Sequence, residues 1–367
     1  MSADQPSFYK NLDPRETELP KPSNIHFERY IPLKSINPID MVGQFGLDLG
    51  EGDKLKAEFA RKYGTTILFE DEPHERGTRA IELGIRAVRN SQIAPDIIFV
   101  VSSHLPDPDK SKTQNPQHVA NILRSELERR GLVDVVKATP QNTRTVSAAC
   151  SGYLVALHEL HKLNISDGQS VLVVDDESNY RETLPPPGQD SGKGGLLFTD
   201  IVVSKQFLWG TGIKVLSTDV KTYGDPDNLL RMRRADYDPN DPFVTVYNPP
   251  YSEHFDMVGA PLMRFFPERI TDDVIEELIH AAGKKRSDLK FFFSHQASIR
   301  MVNAFNKQFD DIPVKSDNLK KYGNTSSAST ILSLEDAIND GLIGKGDSGL
   351  LLAYGAGLTW GAAVIEL

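Results

Sequence analysis

The sequence predicts an α/β protein built from two similar halves, and three observations carry that prediction. Short apolar runs that read as strands alternate with segments of helical period. The runs are rich in Val, Ile, Leu and Phe without polar alternation, the pattern of strands covered on both faces. The order of the first half then recurs in the second. Asp96-Ile97-Ile98-Phe99-Val100 is echoed by Asp288-Leu289-Lys290-Phe291-Phe292, and Gly168-Gln169-Ser170-Val171-Leu172 by Gly346-Asp347-Ser348-Gly349-Leu350. Each half runs helix, strand, helix, strand, helix, strand, which implies two like units packed as a pseudo-dimer.

Along the chain, residues 1–24 are polar and punctuated by Pro6, Pro14, Pro20 and Pro22, and read as an extended arm. The first half is assigned to residues 25–208 and the second to 209–367. Within the first, Thr78 to Asn90 has an amphipathic helical pattern and Asp96 to Val101 reads as a buried strand. A second helix pattern covers His118 to Arg130, followed by a strand from Thr143 to Ala149. Leu154 to Leu160 is again helical, and Ser170 to Val174 is a further buried strand. Beyond it, Asp175-Asp176-Glu177 reads as a solvated loop, because adjacent like charges resist burial. Gly192-Lys193-Gly194-Gly195 lacks the spacing and the leading strand of a phosphate loop, and reads as surface. In the second half Leu289 to Ser294 is a strand, a helix begins near Ala297, and Thr330 to Asn339 is helical. Ala353 to Gly361 is a glycine turn between two strands.

Composition bounds the function. The 367 residues are 39% hydrophobic and 25% charged, ordinary for a globular chain with one large or two medium cores. No apolar run is long enough to span a bilayer, and Met1 to Pro6 lacks the parts of a secretory signal. With a single cysteine, a cytoplasmic location and no membrane partner are expected. A net charge of −10 argues against nucleic-acid binding, while leaving room for a local basic patch.

Three residues stand at strand ends that a repeat would bring side by side. Cys150 lies between a strand-like run and a helix, where a helix N-terminus would lower its pKa. His295 follows an apolar strand, and Asn324 precedes a helix within Tyr322-Gly323-Asn324-Thr325-Ser326. Singly, each has an ordinary reading: buried filler, a strand-end histidine, a helix cap. His158 and His161, one turn apart, have no third ligand at suitable spacing and read as an exposed helix face rather than a metal site.

Taken together, Ala149-Cys150-Ser151-Gly152-Tyr153, Ser294-His295-Gln296-Ala297-Ser298, Tyr322-Gly323-Asn324-Thr325-Ser326 and Gly355-Ala356-Gly357-Leu358-Thr359-Trp360-Gly361 resemble β-ketoacyl-acyl-carrier-protein synthase III and its relatives in the thiolase superfamily. The resemblance implies a thiolase fold, with the two halves in a five-layer αβαβα arrangement, and a homodimer. It implies Cys150 as an acyl-carrying nucleophile, with the backbone N–H groups of Cys150 and Ala356 as the oxyanion donors. His295 and Asn324 would stabilise the enolate of a second thioester. The substrates would be coenzyme A or carrier-protein thioesters, with no metal and no other cofactor. The acidic acyl carrier protein would dock on Arg264, Arg300 and Lys307, whose ordinary reading is solvated helix charge.

The single cysteine argues against a thiolase, which needs a second one as acid and base, and so favours Claisen condensation, decarboxylative in type. Departures from the family pattern point to a priming acyl group other than acetyl. Asp53 to Thr66 holds no tryptophan for the nucleotide, Leu197 to Ser204 lacks the usual glycines, and Gln114-Asn115-Pro116 replaces an aromatic of the acyl tunnel. Two alternatives stay open: a secondary-metabolism synthase joining two acyl chains with cyclisation, of pyrone or dialkylresorcinol type, and a catalytically silent subunit that binds acyl chains or carrier protein.

Overall fold

The computed structural model describes residues 24–32, 34–36, 68–70, 77–102, 116–132, 140–163, 165–177, 201–224, 230–233, 254–257 and 259–367. The arm before Asn24, the segment 53–66, Gln114-Asn115 and the loop at 178–200 lie outside the described residues. In chain order the strands are β1 (Ile25–Tyr30), β2 (Lys34–Ile36), β3 (Leu68–Glu70), β4 (Ile97–Ser102), β5 (Thr143–Val146), β6 (Ser170–Glu177) and β7 (Ile201–Leu208). They continue as β8 (Lys214–Thr222), β9 (Leu230–Arg233), β10 (His254–Met257), β11 (Leu289–Ser294), β12 (Val314–Lys315), β13 (Ser348–Gly355) and β14 (Thr359–Glu366). The helices are α1 (Thr78–Ser91), α2 (Pro116–Arg129), α3 (Gly152–Lys162), α4 (Gly259–Arg269), α5 (Asp272–Ala281), α6 (Ile299–Gln308), α7 (Asn318–Tyr322) and α8 (Ala328–Asn339).

Two five-stranded sheets repeat one topology. The first has the order β1-β7-β6-β4-β5 and the second β8-β14-β13-β11-β12. In each, the third strand pairs parallel with the fourth and antiparallel with the second, and the fifth pairs parallel with the fourth. The sequence echo between Asp96 and Asp288 is therefore an echo of β4 in β11, and that between Gly168 and Gly346 introduces β6 and β13. β2–β3 and β9–β10 form two small antiparallel pairs.

Strand alternation sorts the side chains into layers. On β4, Ile97, Phe99 and Val101 face a central core, while Ile98 and Val100 face α1 and α2 on the far side. On β11, Phe291 and Phe293 face the same central core, and Phe292 faces α4, α5 and α6. The central core is completed by Leu154 and Leu157 of α3 and Ile331, Leu332 and Leu334 of α8. The order is thus outer helices, sheet, α3 with α8, sheet, outer helices: the five layers anticipated. Because it is sandwiched between sheets, α8 is buried from Ala328 through Ala337, unlike a surface helix with one apolar stripe. A buried phenylalanine such as Phe291 contributes roughly 1.5–3 kcal/mol by its removal from water.

The strand expected from Thr143 to Ala149 ends at Val146. Ala149–Ser151 forms a 3₁₀ turn that hands the chain to α3. This turn carries Cys150.

Candidate active site

Cys150 is held by backbone geometry on both sides. Ala149 takes φ of 45°, in the left-handed region that costs a residue with a Cβ about 1 kcal/mol or more. Across from it, the end of β13 presses in without a side chain. A Cβ on Gly355 would stand 2.9 Å from Cys150 Cβ and 3.0 Å from Cys150 N. The next residue, Ala356, needs no glycine, because the positive φ of this turn falls on Gly357 at 117°. The thiol is 5% exposed. Burial pushes its pKa up to about 12, opposed by a hydrogen bond from Ser326 and reinforced by the charge of Glu177. The lowered pKa expected at a strand-to-helix junction is not found in the free protein, since desolvation outweighs the helix terminus.

His295 leaves β11 with its N–H donating to Leu352 O (2.8 Å) and its carbonyl accepting from Tyr354 OH (3.1 Å). Its ring meets Tyr354 edge-on at 5.3 Å. Burial lowers the imidazole pKa to about 3, against a backbone hydrogen bond at Ser326, so the ring is neutral. Nδ1 lies 2.8 Å from Ser329 Oγ, and the same oxygen lies 2.9 Å from the carbonyl of Ser326. A hydroxyl has one proton. When Ser329 donates to Ser326, the ring carries Nδ1–H and Nε2 is an acceptor; when it donates to Nδ1, Nε2–H is a donor.

Asn324 lies in the segment between α7 and α8. Its Oδ1 accepts from Ser326 N at 3.0 Å, which sets the amide orientation and turns Nδ2 away. That Nδ2 is buried and has no hydrogen-bond partner, a costly state in the absence of a ligand. Ser326 is the residue that joins the three. It donates to Cys150 Sγ at 3.5 Å, its N–H serves Asn324, and its backbone bonds His295. With φ of 50° it is the second non-glycine residue here in the left-handed region. Sequence reading passed over Ser326; the only signal was its place in a run of small residues after Asn324.

Arg264 on α4 and Arg300 and Lys307 on α6 are exposed, on two helices that pack together. Asp175, Asp176 and Glu177 correct the loop reading: they are the last three residues of β6 and are buried. His158 is half-buried and hydrogen-bonded to Thr218 Oγ1 at 2.8 Å, not on an exposed face. Among the described residues, no group of three or more His, Cys, Asp or Glu side chains is arranged to hold a metal. No helix among them is long and apolar enough to cross a membrane.

Residues 279–367 match the family described as 3-oxoacyl-(acyl-carrier-protein) synthase III C terminal. The chain is similar to β-ketoacyl-(acyl-carrier-protein) synthase III of Coxiella burnetii, 28% identical over 228 residues, and of Xanthomonas campestris pv. campestris, 30% identical over 229. Each alignment covers 60% of this chain and 66% of the relative, just under two thirds of its length. In three dimensions it resembles the crystal structure of 3-oxoacyl-(acyl-carrier-protein) synthase III from Aquifex aeolicus VF5, with a TM-score of 0.70 at 23% identity. That match covers 93% of this chain and 98% of the other.

Proposed function

Since this chain is synthase III-like in sequence and has the thiolase fold, we propose that it is a condensing enzyme that loads an acyl group onto Cys150 and joins it to a second thioester. The observation that carries this is the convergence on Ser326 of a buried thiol, a neutral imidazole and an amide whose N–H₂ has no partner.

In the first step Cys150 Sγ attacks the carbonyl of an acyl thioester. Its proton passes to His295 Nε2, in the tautomer where Ser329 donates to Ser326. The oxyanion is met by the backbone N–H groups of Cys150 and Ala356, and collapse expels the donor thiol, which takes the proton. In the second step a malonyl thioester loses CO₂, and the electron pair moves into the enolate of the remaining thioester. Its oxygen accepts from Asn324 Nδ2 and from His295 Nε2–H, once the ring has exchanged its Nδ1 proton for one on Nε2 through solvent and Ser329 has turned to donate to Nδ1. The carbanion attacks the acyl-Cys150 carbonyl and expels the Cys150 thiolate, which takes a proton from solvent; a β-ketoacyl thioester leaves. A β-ketoacyl thioester in place of malonyl would need deprotonation instead of decarboxylation. Neutral donors suit both routes: Asn324 does not titrate, and His295, with a pKa of about 3, gives up the thiol proton to the leaving group and meets the enolate uncharged.

Arg264, Arg300 and Lys307 form the proposed face for an acidic acyl carrier protein, and the working unit is a homodimer in the cytoplasm. Intact-mass measurement after incubation with acyl-carrier and acyl-coenzyme A thioesters tests the reading. An acyl adduct is expected on the wild-type chain and not on Cys150→Ser. No adduct from either donor overturns the enzyme reading in favour of a silent binding subunit.

A further inference from the structure

Behind Cys150 lies a polar cluster that the condensation does not use. Asp175 and Glu177 point to the same face of β6 and are 0% and 2% exposed. Ser327, also buried, brings its hydroxyl between them. Its Oγ lies 2.7 and 2.9 Å from the two oxygens of Asp175 and 2.5 Å from Oε1 of Glu177. One hydroxyl proton serves only one of these carboxyl groups. The other group, within hydrogen-bond reach of the same oxygen, must bring a proton of its own. Both contacts are short enough for a charge-assisted O–H···O⁻ bond, about 2.5–2.7 Å; the shorter one marks Glu177 as the ionised acceptor, and Asp175, the more deeply buried of the two, is the acid. Burial, and then Glu177 beside it, hold the Asp175 carboxyl well above the usual carboxylate range against the Ser327 hydrogen bond.

The cluster supports the nucleophile from two sides. Ser327 follows Ser326, which touches Cys150 Sγ, and Ser327 Oγ lies 3.5 Å from the position of a Cβ on Gly152 at the start of α3. Among the described residues, the titratable groups around the thiol are Asp175 and Glu177 from β6, His295 at the end of β11, and Tyr354 from β13. His295 is neutral, and burial raises the Tyr354 phenol above the ordinary tyrosine range. Asp176, next to the pair, adds its charge to the field on Asp175, and Tyr153 on α3 feels Asp175 in turn.

We propose that Asp175 keeps its proton at neutral pH and donates to Ser327, that Ser327 donates to ionised Glu177, and that this relay is a positioning device for the Cys150 site. It anchors the segment carrying Asn324 and Ser326 and sets a buried negative charge behind the thiol, which keeps the unacylated cysteine protonated. This rests on the reading of Cys150 as nucleophile, but neither test below uses a thioester.

The infrared difference spectrum between the wild-type chain and Asp175→Asn should show the carbonyl stretch of a protonated carboxylic acid at mildly alkaline pH. Its absence overturns the proposal. Alkylation of Cys150 by iodoacetamide, followed by intact mass across pH with Cys150→Ser as blank, then locates the charge. Asp175→Asn, a neutral donor of the same shape, should leave the profile within about twofold. Glu177→Gln should move it to lower pH, with labelling roughly tenfold faster in the alkaline limb, the effect of about one pKa unit. An equal shift in both variants, or in neither, overturns the proposal. If Glu177→Gln does not fold, the infrared band decides alone. A chain that passes these tests but takes no acyl group refutes the condensing reading and leaves the relay standing; the reverse result refutes only the relay.

Discussion

The two halves share a sheet order strand for strand, yet they end those strands in opposite chemistry. The repeat that pairs Gly168 with Gly346 sets Asp175 against Ala353 and Glu177 against Gly355. The ladder partners differ in the same way. Val173 of β6 pairs with Lys205 on β7, whereas its counterpart Leu351 pairs with Ala363 on β14. The Lys205 amine is fully buried among the rings of Phe27, Tyr153 and Phe207 and donates to Tyr153 OH at 3.2 Å. So the first half buries acidic groups around Cys150, and the second offers neutral donors and bare backbone. Duplicated architecture thus leaves each half free to specialise at its strand ends, provided the central faces stay apolar.

Five substitutions break or sharpen that comparison. Phe99 and Phe291 occupy matching central positions, so Phe99→Ala and Phe291→Ala should each destabilise by about 3–5 kcal/mol in urea unfolding. A large inequality would show that the halves do not share one core. Next, Asn324→Ala should slow condensation by about 10²–10³ while Cys150 still acylates, measured by separating the two half-reactions in single turnovers. Loss of both steps would deny the second half its restricted role. Gly355→Ala should cut acylation by about 10², because its Cβ would displace Cys150, and adduct formation over time reads this directly.

The smallest effect concerns Lys205. Burial holds its amine well below its usual range, against the pull of Glu335. Between its folded and unfolded values the unfolded chain therefore binds a proton that the folded chain does not, and stability rises with pH across that window until the unfolded lysine also loses its proton. Lys205→Met should raise stability by about 1–2 kcal/mol near neutrality. The gain should shrink towards the ordinary lysine value of 10.5, as followed by thermal melts across pH. A gain independent of pH would mean that packing alone is at stake.

The fold was legible because its strands are continuous apolar runs whose bounds, such as Leu289 to Ser294, coincide with the ladders. Cys150, His295 and Asn324 were legible as strand-end oddities that a repeat brings together. What escaped was set by tertiary contact. β6 runs three residues past its apolar stretch, and nothing local distinguishes a solvated Asp-Asp-Glu from one closed over by Ser327. The thiol's high pKa likewise depends on burial beneath β13, which the junction around Cys150 does not disclose. His158 read as exposed because its partner, Thr218, comes from β8, a strand with no clear apolar signature.

The placement of α3 and α8 between the sheets has a consequence for motion. The turns carrying Cys150 and Asn324 enter the middle layer, so local opening of α1 or α2 need not disturb them, whereas α5 shares a core with Cys150 and any opening of the centre removes the candidate site at once. Native-state hydrogen exchange should then find the amides of α3 and α8 among the slowest in the chain. Activity under denaturant should vanish with that slow class, after the outer helices have already begun to exchange.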